Sequence, residues 1–176
     1  MHTLHSDLCG PYPVKSLGGG QYVLTLLDEH SGYAAVAILR LKSDAPAQLQ
    51  QMILEWEAKT GLKCKNLFTD RGSEYTQGVM KDWCVQQKIV HDFSAPRTPE
   101  QNGKAERLNQ TLNDMVRAML FQYNLFTPLW AHAMMYAVKL YNAGLVKRLN
   151  KTRPWRGLPL NAPGASIKFQ LKIGDG

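Results

Sequence analysis

The sequence predicts an α/β domain: three antiparallel strands followed by an α, β, α, β run, giving a five-stranded mixed sheet flanked by helices. Two patterns carry this. Short apolar runs alternate with turn signals near the start, and apolar positions then recur at helical spacing. Composition sets the scale. The 176 residues are 44% hydrophobic and 20% charged, enough for one domain with its own core and too ordinary for a disordered or fibrous chain.

The elements follow in order. Residues 4–8 fit a short strand, and Gly18, Gly19 and Gly20 punctuate the chain before the apolar run at 22–27. A second turn signal over 28–32 precedes the run at 33–39, so the first three strands form a meander. Ser43, Asp44 and Pro46, then Leu49, Met52, Ile53 and Trp56 at helical spacing, and Gly61 as terminator, define a helix over 44–60. A strand over 67–70 ends at Arg71-Gly72. Val79, Met80, Trp83 and Cys84 mark another helix before a short strand at Ile89-Val90. Thr98, Pro99 and Gln101 fit a capping box, so a helix starts there or just after Gly103. Its apolar stripe is Ala105, Leu108, Leu112, Met115, Val116 and Met119, which leaves Glu106, Asn109 and Asn113 together on another face. Thr127-Pro128 opens a last helix with Trp130, Ala133, Met134, Ala137 and Tyr141 inward and Gly144 closing it. The reading divides the chain into a core over 1–145 and a basic extension containing proline and glycine over 146–176.

Several classes drop out. The longest apolar run, residues 33–39, is far short of the roughly 18 to 20 residues of a membrane-spanning helix. The start shows no basic segment followed by an apolar stretch, so secretion is not expected. Cys9, Cys64 and Cys84 are scattered, an odd set that reads as buried thiols of a reducing compartment. The five histidines sit too far apart along the chain for a structural zinc site.

Charge is unevenly placed. Residues 1–114 carry twelve basic and thirteen acidic side chains, whereas residues 115–176 carry nine basic and one acidic. That basic end suits a polyanion, although a solvated basic face would look the same.

Three carboxylates stand out by local context: Asp7 within the first strand, Asp70 at the end of the fourth, and Glu106 on a polar helix face. An acid in an apolar strand is disfavoured unless a cation or donor accompanies it, and hard divalent ions prefer oxygen ligands. Two such ions can activate water or a hydroxyl on one side of a phosphorus and stabilise the leaving oxygen on the other. The same residue types also fit two turn acids and a solvated helix charge.

The flanks of these acids carry a resemblance. Sixty-two residues lie between Asp7 and Asp70 and thirty-five between Asp70 and Glu106. His5-Ser6-Asp7-Leu8-Cys9-Gly10-Pro11, Asp70-Arg71-Gly72-Ser73-Glu74-Tyr75 and Pro99-Glu100-Gln101-Asn102-Gly103-Lys104-Ala105-Glu106-Arg107-Leu108-Asn109 resemble the catalytic core of copia-type LTR retrotransposon integrases, within the retroviral integrase superfamily. The resemblance covers about residues 2–145 and implies a ribonuclease H-like fold. It further implies that Asp7, Asp70 and Glu106 are the catalytic acids and the ligands of two Mg²⁺ or Mn²⁺ ions. The activity implied is that of a polynucleotidyl transferase, which trims a DNA 3′ end and then joins its hydroxyl to a target strand. Double-stranded DNA is the implied partner, with Gln101, Asn102, Lys104, Arg107, Asn109 and Asn113 near Glu106 as candidate DNA contacts. Helix capping or surface solvation accounts for these six equally well.

Family likeness also makes residues 94–103 a mobile loop beside the site, and suggests a homodimer or higher oligomer through faces near 44–60 and 127–144. It places the protein in the nucleus after a cytoplasmic particle. Complete integrases of this type carry a zinc module before the core and more sequence after it, so the chain reads as a piece or as a descendant that lost the rest. A catalytically silent, domesticated core that binds DNA or protein is the competing expectation; a general ribonuclease H-type nuclease is weaker. Among lesser residues, Glu74 reads as a loop anchor, Asp92 as a neighbour of the site, Glu100 as a rival for Glu106, and His5 as structural. Trp56, Trp83 and Trp130 read as core.

Overall fold

The computed structural model describes residues 2–70, 72, 78–93 and 99–144, with the backbone alone for 93 and 99–102. In chain order the elements are β1 (Thr3–Cys9), β2 (Tyr22–Asp28), β3 (Ala34–Leu39), α1 (Ala45–Thr60), β4 (Asn66–Thr69), α2 (Val79–Gln87), β5 (Val90–Phe93), α3 (Pro99–Gln122) and α4 (Trp130–Ala143). One sheet of order β3-β2-β1-β4-β5 runs through them. β1 pairs antiparallel with β2, and β2 with β3, while β4 lies parallel to both β1 and β5. The mixed five-stranded sheet is the one the sequence predicts.

Strand alternation divides the core. Side chains along a strand point to opposite faces, so Leu4 and Leu8 turn to one side of β1 and His5, Asp7 and Cys9 to the other. On the first side, Leu24, Leu26, Leu67, Leu49, Ile53, Trp56, Met80 and Cys84 join Leu4 in one buried cluster beneath α1 and α2. On the second, Val23, Val36, Leu108, Leu112, Val116, Trp130, Met134 and Ala137 form another beneath α3 and α4.

Local chemistry sets the helix ends. α1 has Pro46 in its first turn and stops at Gly61, whose φ of 69° suits glycine and whose N–H reaches the Glu57 carbonyl at 2.8 Å. In α2 the contact is made by Met80 and Cys84, four residues apart, with Trp83 half-buried; Val79 is 73% exposed and adds nothing to it. α3 begins at Pro99, so residues 99–103, expected within a mobile loop, are helical. Thr98, its expected cap, lies outside the described residues, as do 94–97. The helix expected from Thr127 starts as a 3-10 turn, Thr127–Leu129, and becomes α-helical at Trp130. Trp130 is pinned by Tyr12, stacked on it at 4.2 Å, and by its indole N–H donating to the Val14 carbonyl at 2.8 Å.

Two thiols match the expectation and one does not. Cys64 and Cys84 are buried, which pushes them up to about 12 and about 11, whereas Cys9 is only half-buried. Among the described residues no helix is long and apolar enough to cross a membrane. The extension over 146–176 lies outside the described residues.

Candidate active site

α3 lies along the polar side of β1, and the two periodicities match. A two-residue step on a strand advances about 6.7 Å and four residues of helix about 6 Å, so successive inward residues of β1 meet successive turns of α3. Asn109 Nδ2 donates to Asp7 Oδ2 at 2.7 Å, and four residues on Asn113 Nδ2 faces Cys9 Sγ at 3.9 Å. Asn113 Oδ1 also accepts from the Tyr12 hydroxyl at 2.6 Å. The phenol is raised above its usual range first by burial, with Cys9 adding to the effect.

Asp7 sits mid-sheet opposite Thr25 of β2. Thr25 Oγ1 donates to the Asp7 carbonyl at 3.2 Å, and Ser6 Oγ donates to the Thr25 carbonyl at 2.8 Å, which ties the strand to its neighbour at this point. The Asp7 carboxyl lies above the usual carboxylate range. Burial is the main cause; the Asn109 amide opposes it, the charge of Asp70 adds to it, the Leu8 backbone opposes it, and the charge of Glu106 adds again. Asp7 therefore feels both other acids.

Asp70 follows the last residue of β4. Its Oδ1 accepts from the Gly72 N–H at 3.1 Å, closing a small turn, and its carbonyl accepts from Thr69 Oγ1 at 3.0 Å. Thr69 Oγ1 is also 2.9 Å from His91 Nε2 on β5. Burial lowers the His91 pKa, against a smaller rise from Asp92. Glu106 is exposed on α3.

β1, the end of β4 and α3 thus bring Asp70 and Glu106 within electrostatic reach of Asp7. Among the described residues no group of three or more His, Cys, Asp or Glu is gathered closely enough to hold a metal ion as it stands. The donor set nonetheless suits a hard divalent cation. It is all oxygen, and a cation among the acids would offset both the burial and the like charge that hold Asp7 up.

The six candidate DNA contacts divide. Arg107 is exposed. Lys104 is paired with Glu29, Asn109 is 7% exposed and bound to Asp7, and Asn113 is held by Tyr12, because this face of α3 is pressed against β1. The side chains of Gln101 and Asn102 lie outside the described residues, as do Glu74 and the side chain of Glu100; Asp92 is exposed on β5. His5 is structural, 3% exposed and stacked on Phe68 at 5.1 Å. Glu29 went unnoticed in the sequence, since nothing in a turn acid announces partners on β1 and α3. A cleft of about 610 Å³ lies elsewhere, between the β3 edge and α1, lined by Ile38, Arg40, Asp44 and Gln51 among others.

Comparison with known proteins agrees with this fold. No protein-family model matches the chain. The retrovirus-related Pol polyprotein from transposon TNT 1-94 of Nicotiana tabacum is 37% identical over 142 residues, 81% of this chain and 11% of that protein. The Pol polyprotein from transposon RE2 of Arabidopsis thaliana is 27% identical over 142 residues, 81% of this chain and 10% of that protein. The chain thus spans about a tenth of these relatives. Among solved structures, the HTLV-2 integrase catalytic core domain in complex with magnesium, in its trimeric form, superposes with a TM-score of 0.65 at 17% identity, covering 88% of this chain and 94% of that one. A simian T-cell lymphotropic virus intasome in complex with PP2A regulatory subunit B56 gamma gives 0.69 at 18% identity, covering 93% of this chain and 55% of that one.

The sheet order and the flanking helices are those of an integrase catalytic core with a ribonuclease H-like fold. Within that class the chain belongs to the integrase cores of retroviruses and LTR retrotransposons, on the copia-type side.

Proposed function

We propose that the chain is the core of a DNA polynucleotidyl transferase that trims a DNA 3′ end and joins the resulting hydroxyl to a target strand. The observation that supports this reading is that Asp7 of β1 lies within electrostatic reach of both Asp70 and Glu106. Asp7, Asp70 and Glu106 would hold divalent cations, as the magnesium of the HTLV-2 core suggests; the proposed chemistry would use two per site, Mg²⁺ or Mn²⁺. When bound, such ions supply Lewis-acid activation of the attacking oxygen and charge neutralisation at the leaving oxygen.

The protein's own groups do the positioning. Asn109 fixes the rotamer of Asp7, and its N–H favours the ionised form that metal and phosphate chemistry requires. Gly72 and Thr69 fix Asp70 from its carboxylate and its carbonyl. Glu106 presents its carboxylate from the open side, where Arg107 next to it would meet a phosphate. Gln101 and Asn102 complete the proposed DNA contacts, and the basic segment over 146–176 would add phosphate neutralisation. DNA as substrate implies action in the nucleus, and the assembled forms of the relatives suggest pairing of cores.

The test is Mn²⁺-dependent joining of a DNA 3′ end to target DNA, or its reversal on branched DNA, with Asp70→Asn as control. Joining by the wild type and none by the variant is expected. Equal activity in both would refute the assignment, and DNA binding without joining or metal binding would identify a silent binding core.

A further inference from the structure

Glu29 follows the end of β2 and lies outside the acid set, yet it touches the carriers of two of its members. One carboxylate oxygen, Oε1, accepts from Lys104 Nζ of α3; the other, Oε2, lies 3.5 Å from His5 Nε2 of β1. Lys104 stands two residues before Glu106, and His5 two residues before Asp7. His5 is held flat on Phe68 of β4, its ladder partner, so this end of the chain of contacts is anchored in the sheet. The backbone N–H of Glu29 donates to the Thr3 carbonyl at 3.0 Å, which fixes the acid itself to β1. Both Glu29 and Lys104 are about one-third exposed, so the pair is neither a free surface contact nor sealed in the core. Further along α3, Asn109 and Asn113 hold the helix to Asp7 and to Tyr12, but they act beyond Glu106. Among the described residues, the Lys104–Glu29 ion pair ties the helix down before Glu106, beside the fully buried Ala105.

We propose that Glu29 is a positioning residue: by engaging Lys104 of α3 and His5 of β1 together, it fixes the first turns of α3, and with them Glu106, against the strand that carries Asp7. The role rests on reading Asp7, Asp70 and Glu106 as the reacting acids. It also assigns Lys104 to the brace and not to a DNA phosphate. A misplacement of one carboxylate by a fraction of its reach is enough to slow a reaction that depends on pre-set geometry.

Two measurements on the whole chain test it. In Mn²⁺-dependent strand joining, Glu29→Gln and Lys104→Gln should each lower kcat about tenfold with KM for DNA changed less than about twofold. The double variant should be no worse than either. If instead Lys104→Gln raises KM, Glu29→Gln leaves kcat unchanged, or the two losses multiply, Lys104 serves the DNA and the brace is overturned. Amide hydrogen exchange over residues 103–108 reads the brace without catalysis: Glu29→Gln should speed it about tenfold, at a thermal midpoint within about 3 °C of wild type. Unchanged exchange overturns the brace whatever the activity. Asp70→Asn should be inactive with normal exchange. A wild type that joins no DNA while Glu29→Gln still loosens α3 would sink the catalytic reading, and with it the positioning role, leaving only a structural contact.

Discussion

The two faces of β1 are built from the same strand and do opposite work. Leu4 and Leu8 enter an apolar cluster sealed by α1 and α2, whereas His5, Asp7 and Cys9, alternating with them, meet Glu29, Asn109 and Asn113. On the first face stability comes from volume filled, with each fully buried aliphatic chain contributing about 2 kcal/mol. On the second it is partly given up: Asp7 is held above its usual range by burial and by two neighbouring acids. The lesson is that strand parity within β1 separates packing from the proposed chemistry, although the sheet as a whole carries an apolar cluster on each side.

The largest effect should come from the polar face. Asp7→Asn is expected to cut strand joining about a thousandfold while raising the thermal midpoint by about 2 °C at neutral pH. The sign follows from the raised pKa. The folded state binds the Asp7 proton more tightly than the unfolded chain, so stability is lost as pH rises through the window between the ordinary carboxylate value and the raised one, and the asparagine avoids that loss. Calorimetry from pH 3 to 8 should show the gain shrinking toward the acid end; a destabilised Asp7→Asn would break the contrast between the faces.

Next is the apolar face, where Ile53→Ala is expected to cost about 3 kcal/mol in urea unfolding while Mn²⁺ affinity stays within about twofold. A loss of metal affinity there would show that the two faces are not separable. Asn109→Ala should have a smaller effect than either, about 1 to 2 kcal/mol lost, with a further rise in the Asp7 pKa read by carboxyl chemical shifts. The smallest effect is Arg117→Ala, whose exposed pairing with Asp114 at 3.2 Å should matter by less than about 0.5 kcal/mol.

The alternation that places Asp7 opposite Leu8, the terminator at Gly61 and the apolar stripe from Ala105 to Val116 were all readable, because each depends on neighbours within a few residues. The three acids were singled out by the resemblance of their spacing and flanks, and the structure puts Asp70 and Glu106 within electrostatic reach of Asp7. The fate of Lys104, Asn109 and Asn113 was not: an amide or ammonium on a polar helix face looks alike whether it meets water, DNA or a strand. Glu29 lacked a signal for the same reason, as its partners lie 24 residues before it and 75 after.

By itself the sequence determined the element order and the strand parity, since these follow from short-range periodicity, and the family resemblance of their flanks singled out Asp7, Asp70 and Glu106 as the candidate acids. Only the tertiary structure decided which polar groups of α3 face inward and that Glu29 bridges helix and strand. Those contacts depend on how a helical step of about 6 Å falls against a strand step of about 6.7 Å, a register set by the packing of the whole sheet.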